Sequence, residues 1–355
     1  MKKGMICNSL LIGIAMFILV ACGTGDPGGL AGGGIGGTGI SVGRITAIGS
    51  VTVNGVKFET YTATFSVDGK DGVLEDLEVG MLVAVEGTFN ADGTTGIARS
   101  VIFKDNLEGP VTDKTAQTLV VMGQTVNVDA TTEIYDAIGN AITLNDISTG
   151  NLVEVSGFTD SSKVIHATYI KVKAASFTQG TEIEIKGVIS NLNTPLGTFA
   201  IGSLTVDYSS ATFEDMLESD LAKDLFVEVK STQGIVDGVL VASKVESEDE
   251  IFNISGGEEG ENVEIEGFVT GPLSDNEFEV NGQPVRITSD TKCEGNNCPA
   301  VIQTAIDSGA RLEVEGTVDA NGVLVAQEIS IESGDDSGES DTDASSDDES
   351  DGSGD

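Results

Sequence analysis

Residues 43–331 carry one pattern four times, with a period of about 65–85 residues, and such self-similarity means packed copies of one small unit. Each copy opens on a glycine and apolar residues: Gly43-Arg44-Ile45, Gly109-Pro110-Val111, Gly187-Val188-Ile189 and Gly267-Phe268-Val269. A turn glycine and a short apolar strand follow, at Asn54-Gly55-Val56, Gly123-Gln124-Thr125-Val126, Gly202-Ser203-Leu204 and Asn281-Gly282-Gln283. Asn-Gly between alternating apolar residues marks a hairpin, because both residues accept the positive φ of a type I′ turn.

The best-matched segments come next: Val83-Ala84-Val85-Glu86-Gly87, Val153-Glu154-Val155-Ser156-Gly157, Val227-Glu228-Val229-Lys230 and Leu312-Glu313-Val314-Glu315-Gly316. Alternation sends Val and Leu to one face and mostly polar groups to the other, which predicts a half-buried strand. A further turn then leads to a closing strand, from Asp92-Gly93 to 97–101, Asp160-Ser161 to 165–170, Asp237-Gly238 to 241–245 and Asn321-Gly322 to 325–329. Before the fourth strand of each unit lies a segment able to hold a helical turn, at 74–77, 144–147, 213–221 and 299–306.

Five short strands with a helix between the third and fourth is the order of an OB-like barrel. The predicted fold class is therefore all-β: four tandem small five-stranded OB-like barrels, each with a short helical turn, and disordered ends. The expected boundaries are 43–105, 106–176, 182–249 and 261–331, preceded by a glycine-rich tether at 22–42 and followed by an acidic disordered tail at 332–355. A unit of about 65 residues buries only some 60% of its unfolded surface, so the barrels are expected to pack together, at least in pairs.

This pattern resembles the bacterial domain-of-unknown-function 5666 family. Its repeats carry an opening Gly-x-Val, a Val-Gly-x-x-Val-x-Val-x-Gly strand and a closing Asp-Gly…Ala-x-x-Ile strand. Val79-Gly80 through Gly87 and Ser308-Gly309 through Gly316 fit best, and the third repeat departs, with Lys230 where a glycine is expected. These motif residues are structural, so the resemblance implies a fold and carries over no catalytic group.

Lys2 and Lys3 precede an uncharged apolar run from Met5 to Val20, too short for a comfortable membrane span and ending in small residues like a cleavable export signal. Leu19-Val20-Ala21-Cys22 resembles the lipobox of bacterial lipoproteins, which implies cleavage of a signal peptide at 1–21 and lipidation (including palmitate) of Cys22. Two or three acyl chains give stable anchoring. Gly23 follows with no aspartate to retain the protein at the inner membrane, so the expected address is the outer membrane of a Gram-negative envelope, periplasmic or surface-facing. About 20 tether residues reach roughly 25 Å, enough to lift a domain off the lipid.

Asp and Glu number 58 against 18 Lys and Arg, a formal net charge of -40, and such a surface repels phosphate backbones. Nucleic acid is therefore not an expected partner. One histidine and two cysteines beyond the anchor cannot build a multi-ligand zinc or iron–sulfur site. Gly34, Gly36 and Gly39 spell a formal G-x-G-x-x-G, yet a strand follows where a dinucleotide site needs a helix. Cys293 and Cys298 are expected to form a disulfide, since export places them in an oxidising compartment and one pairing is available. His166 lies on a strand with no nucleophile motif, and Asp307-Ser308-Gly309 occupies a turn, so no catalytic residue is assigned and the chain is not expected to be an enzyme. Loops such as Asp68-Gly69-Lys70-Asp71-Gly72 offer oxygens without matching a calcium loop; no metal ligand or cofactor is assigned, beyond weak calcium accumulation by the tail.

The functional expectation is a lipid-anchored, non-catalytic binding or scaffolding module for an envelope protein or polysaccharide. The alternative is a calcium-bridged surface coat or adhesin. The absence of Trp and scarcity of Tyr disfavour a stacking platform.

Overall fold

A computed structural model describes residues 37–248 and 259–332. The expectations for Cys22, the signal peptide, most of the tether and the tail from 333 onward lie outside the described residues.

In the first repeat, strands Gly37–Ala47, Val51–Val53, Val56–Glu59, Leu82–Phe89 and Thr95–Phe103 close on themselves. The first pairs with the second and the fourth, the second with the third, the third lies parallel to the fifth, and the fifth pairs antiparallel with the fourth. This circular order, 1-2-3-5-4-1, is that of an OB barrel. The second and fourth repeats close in the same way. So does the third, whose closing strand is divided into Val239–Val241 and Lys244–Ser247. The barrel interiors hold the apolar side of the alternation, among them Val51, Val83, Val153, Val227 and Val314.

The expected helical segments are present. Short 3-10 turns occupy Leu74–Asp76, Leu144–Asp146 and Glu218–Asp220, and each is closed by its last aspartate accepting a hydrogen bond from a backbone N–H three residues back. The fourth repeat has a full helix, Cys298–Ser308, with Asn297 capping its start, Pro299 in its first turn and Gly309 ending it at φ 66°. Asp307-Ser308-Gly309 is thus a helix end.

The repeated glycines have steric reasons. The opening glycine pairs with the second residue of the fourth strand in every unit: Gly43 with Val83, Gly109 with Val153, Gly187 with Val227, Gly267 with Leu312. The hairpin folds over it, so a Cβ would fall 1.9 Å from Asn54 Oδ1 at Gly43 and 2.5 Å from Ile201 Cγ2 at Gly187. The later glycine sits where the fourth strand slips register against the closing strand, as at Gly87, Gly157 and Gly316. The same pairing puts Ser231, not Lys230, at that place in the third repeat. The reading of Lys230 as a missing glycine is therefore corrected. Ser231 Oγ donates to Val241 O at 2.7 Å, beside the break in the closing strand.

The opening strand also starts earlier than expected, at Gly37 inside the stretch read as tether, because 39–42 has partners on both sides. One side is its own barrel. The other is the fourth repeat, since residues 39–42 run parallel to 262–265 of strand Asn262–Ser274. The two middle barrels join by an antiparallel contact of Leu107 and Glu108 with Ile185 and Glu184. Pairing therefore unites first with fourth and second with third. Side chains tie these pairs into one body: Tyr169 Oη donates to Glu78 at 2.7 Å, Leu82 N donates to Ser156 Oγ, and Phe158 meets Phe268 edge to face.

Because the barrels pack this way, part of the polar surface is covered. Glu154 in the second repeat and Glu228 and Lys230 in the third are buried, as are Lys186, Glu264 and Glu266 on opening strands, so the half-buried reading is corrected for the second and third repeats; Glu86, Glu313 and Glu315 stay partly exposed, as expected. No helix among the described residues is long and apolar enough to cross a membrane.

Candidate functional site

Among the described residues, two polar layers and a cleft lie between the barrels. The first layer centres on Lys186, carried by strand Ile183–Asn193 with its alternate residue Glu184 on the same face. Its Nζ lies 2.5 Å from Asp105 Oδ1, 3.0 Å from Glu184, 3.1 Å from Glu228 and 3.8 Å from Asp68. Lys230 bridges Glu184 and Glu228 at 3.1 and 3.2 Å, and Lys173 pairs with Glu154 and Glu108. Asp68, placed among calcium-loop candidates by sequence, instead accepts from the Asp105 backbone N–H at 2.9 Å and faces Lys186.

Burial pushes Asp68 up to about 6 even though Lys186 opposes it. Asp105 is pushed well above the carboxylate range by burial, again against Lys186. Burial alone would raise Glu184, but Lys186 and Lys230 outweigh it and hold it at about 2. Lys186 is raised by its surrounding carboxylates despite burial. A lysine so enclosed keeps its charge, so this cluster is filled by its own cation.

The second layer lies where the first and fourth barrels join. Glu264, Glu313 and Glu315 bring carboxylate oxygens within 4.8 Å of one another, and Ser41 Oγ of the first repeat donates to Glu264 at 2.9 Å. Burial raises Glu264 to about 7, and burial with the adjacent Glu264 raises Glu313 to about 10. Arg311 is turned away to Glu266 at 2.5 Å, with its guanidinium 5.2 Å above the Phe158 ring. The pair is held together by a retained proton.

The cleft has a volume of about 400 Å³ and takes wall residues from all four repeats. Half-buried Val188 and Phe226 give it apolar surface, backed by buried Leu82, Phe158, Ile165 and Ile201, and exposed Lys163, Asp224 and Glu279 also border it. Its amide side chains are engaged by neighbouring backbone. Asn106 Oδ1 accepts from Gly157 N at 2.7 Å, Gln124 Nε2 donates to Ile201 O at 3.0 Å, and Asn281 Nδ2 donates to Glu266 O at 2.8 Å. The walls therefore offer mainly apolar contact. Nothing in the sequence pointed to this cleft, because its walls come together only when the barrels pack.

His166 lies 3.0 Å from Asp160 and 4.4 Å from the Phe268 ring, in the contact between second and fourth barrels. Cys293 and Cys298 form the expected disulfide, tying the short strand Lys292–Cys293 to the first residue of the helix. Cys293 itself pairs with Ile329 of the closing strand.

Closed barrels of order 1-2-3-5-4-1, repeated four times with a cleft between them, define a tandem OB-like barrel protein. A model of the family described as domain of unknown function (DUF5666) matches residues 42–101, 108–171, 186–246 and 266–330, and the chain belongs to that family. No curated protein matches the chain.

Proposed function

We propose that this chain is a lipid-anchored, non-catalytic binding module of the bacterial cell envelope, and that its ligand seats in the cleft between the barrels. The observation that carries the reading is the cleft itself. Its roughly 400 Å³ falls in the range of ligand pockets, and such sites favour the junctions between packed units. OB-like barrels commonly bind ligands on a face and its flanking loops, which supports binding by analogy of fold. The N-terminal sequence supports the anchor through Cys22, and the tether at 22–42 would hold the barrels off the membrane.

A calcium-bridged coat has less to draw on, because Lys186 fills one carboxylate cluster and protonation satisfies the other. A photo-crosslinking residue at Val188, in the cleft, and at exposed Val236 tests the binding reading in cells. A discrete adduct from position 188 alone, reduced in Cys22→Ala, is expected. Equal labelling from both positions contradicts the cleft, and loss of adducts on chelation favours the coat.

A further inference from the structure

Resting on that reading, we infer that the cleft receives the apolar anchor of a cationic polypeptide segment: one or a few large apolar side chains flanked by Lys or Arg. Three observations restrict the occupant. The first is the wall chemistry. Half-buried Val188 and Phe226 present apolar surface, while Asn106, Gln124 and Asn281 are already hydrogen-bonded to backbone. A sugar or nucleotide needs convergent polar partners, and these walls keep theirs occupied. The second is size. About 400 Å³ holds large side chains and excludes a folded domain.

The third is charge. With 58 acidic residues against 18 basic, the field around the molecule repels anionic lipid heads and phosphates and gathers cations. Asp224 and Glu279, both exposed at the cleft, meet the flanking cations directly; Lys163 is the exposed opposing charge there, Lys186 on the wall is already enclosed by its carboxylates, and Asp224 already has Lys223 at 3.2 Å. Long-range attraction brings the segment in, and burial of its apolar side chain in the cleft fixes it. Such interfaces concentrate their energy in a few buried anchors, with charge setting the rate of encounter.

The chain contains no Trp, so a single Trp in a peptide reports its own burial without background. The probe is an amidated Lys-Ser-Lys-Trp-Leu-Lys-Ser-Lys, titrated with the full-length chain and followed by Trp emission. The expected result is a blue shift with saturable binding. It weakens at least fivefold between about 50 and about 300 mM salt, and at least tenfold in Val188→Lys, which puts a cation on the cleft wall. Val236→Lys makes the same change in net charge on an exposed site outside the cleft and should bind like the parent. The same peptide with Glu in place of Lys should give no shift.

Equal binding to Val188→Lys overturns the inference in favour of bulk charge attraction, and equal binding of the Glu peptide overturns it in favour of apolar contact alone. The neutral apolar dye N-phenylnaphthylamine tests the underlying reading separately. Dye uptake by the parent but not by Val188→Lys, with no peptide binding, refutes the cationic segment and leaves a binding cleft. No difference in dye uptake refutes the cleft.

Discussion

Lys186 shows how much depends on one side chain. It sits at the meeting point of the first three repeats, enclosed by Asp68, Asp105, Glu184 and Glu228. Replacing it by Met leaves buried carboxylates without their cation, a change that costs about 3–5 kcal/mol. Lys186→Met should therefore lower the urea midpoint, and adding Asp105→Asn should recover part of the loss; an unchanged midpoint for Lys186→Met would mean the cluster is solvated. Gly157 is a test of backbone packing rather than charge. A Cβ there would lie 2.2 Å from the His166 carbonyl oxygen, which is backbone and cannot swing aside. Gly157→Ala should cost about 1–3 kcal/mol in the same assay.

At the scale of elements, the sequence was legible wherever the information was local. The turn pairs Asn54-Gly55 and Asn281-Gly282 lie at positive φ between paired strands, and each helical segment falls before the fourth strand. Lys230 was misread because the third repeat substitutes Ser231 for the glycine, and only strand register shows which residue is equivalent. The covered polar faces of the second and third repeats leave no sign in the sequence for a related reason. Alternating Glu and Lys on a strand look the same whether they face water or another barrel's charges. Asp68, Asp105 and Lys186 are each ordinary in sequence and distant from one another, so their cluster leaves no local trace. The disulfide was legible because Cys7 and Cys22 fall in the N-terminal segment read as signal and anchor, which leaves Cys293 and Cys298 as one close pair. It closes a short loop, worth about 2 kcal/mol in the chain-entropy model. Cys293→Ser with Cys298→Ser should lower stability by that amount, and reductant should destabilise the parent equally while leaving the double variant unaffected.

For the whole molecule, the junction of first and fourth barrels makes stability depend on pH. Glu264 titrates at about 7 and Glu313 at about 10, both above the 4.5 of a free carboxyl. The folded state thus holds protons that the unfolded chain releases, and this contribution is full below about pH 4.5 and lost as pH rises through the folded values. Glu315 and Glu332 face the pair and oppose its ionisation, while Arg311 is committed to Glu266. Glu184, held at about 2, acts oppositely and protects the fold above the free carboxyl value. Melting temperature should accordingly fall by about 5 °C between pH 5.5 and 8.5. Glu313→Gln should flatten that slope; an unchanged slope would remove the pair as its cause.

The four barrels form one body, with the first repeat joined to the fourth through residues 39–42 and 262–265. Gly39 marks the join, since a Cβ there would fall 2.5 Å from Asn262 O. Residue-resolved amide hydrogen exchange tests it most directly. A strand paired on both sides has no solvent-facing amides, so every N–H across 39–42 should exchange only as slowly as Val83 and Val85 in the barrel wall. If alternate amides there exchange within minutes while Val83 and Val85 stay protected, the strand is an edge. The first and fourth barrels would then not be joined, and the single body of four would be contradicted.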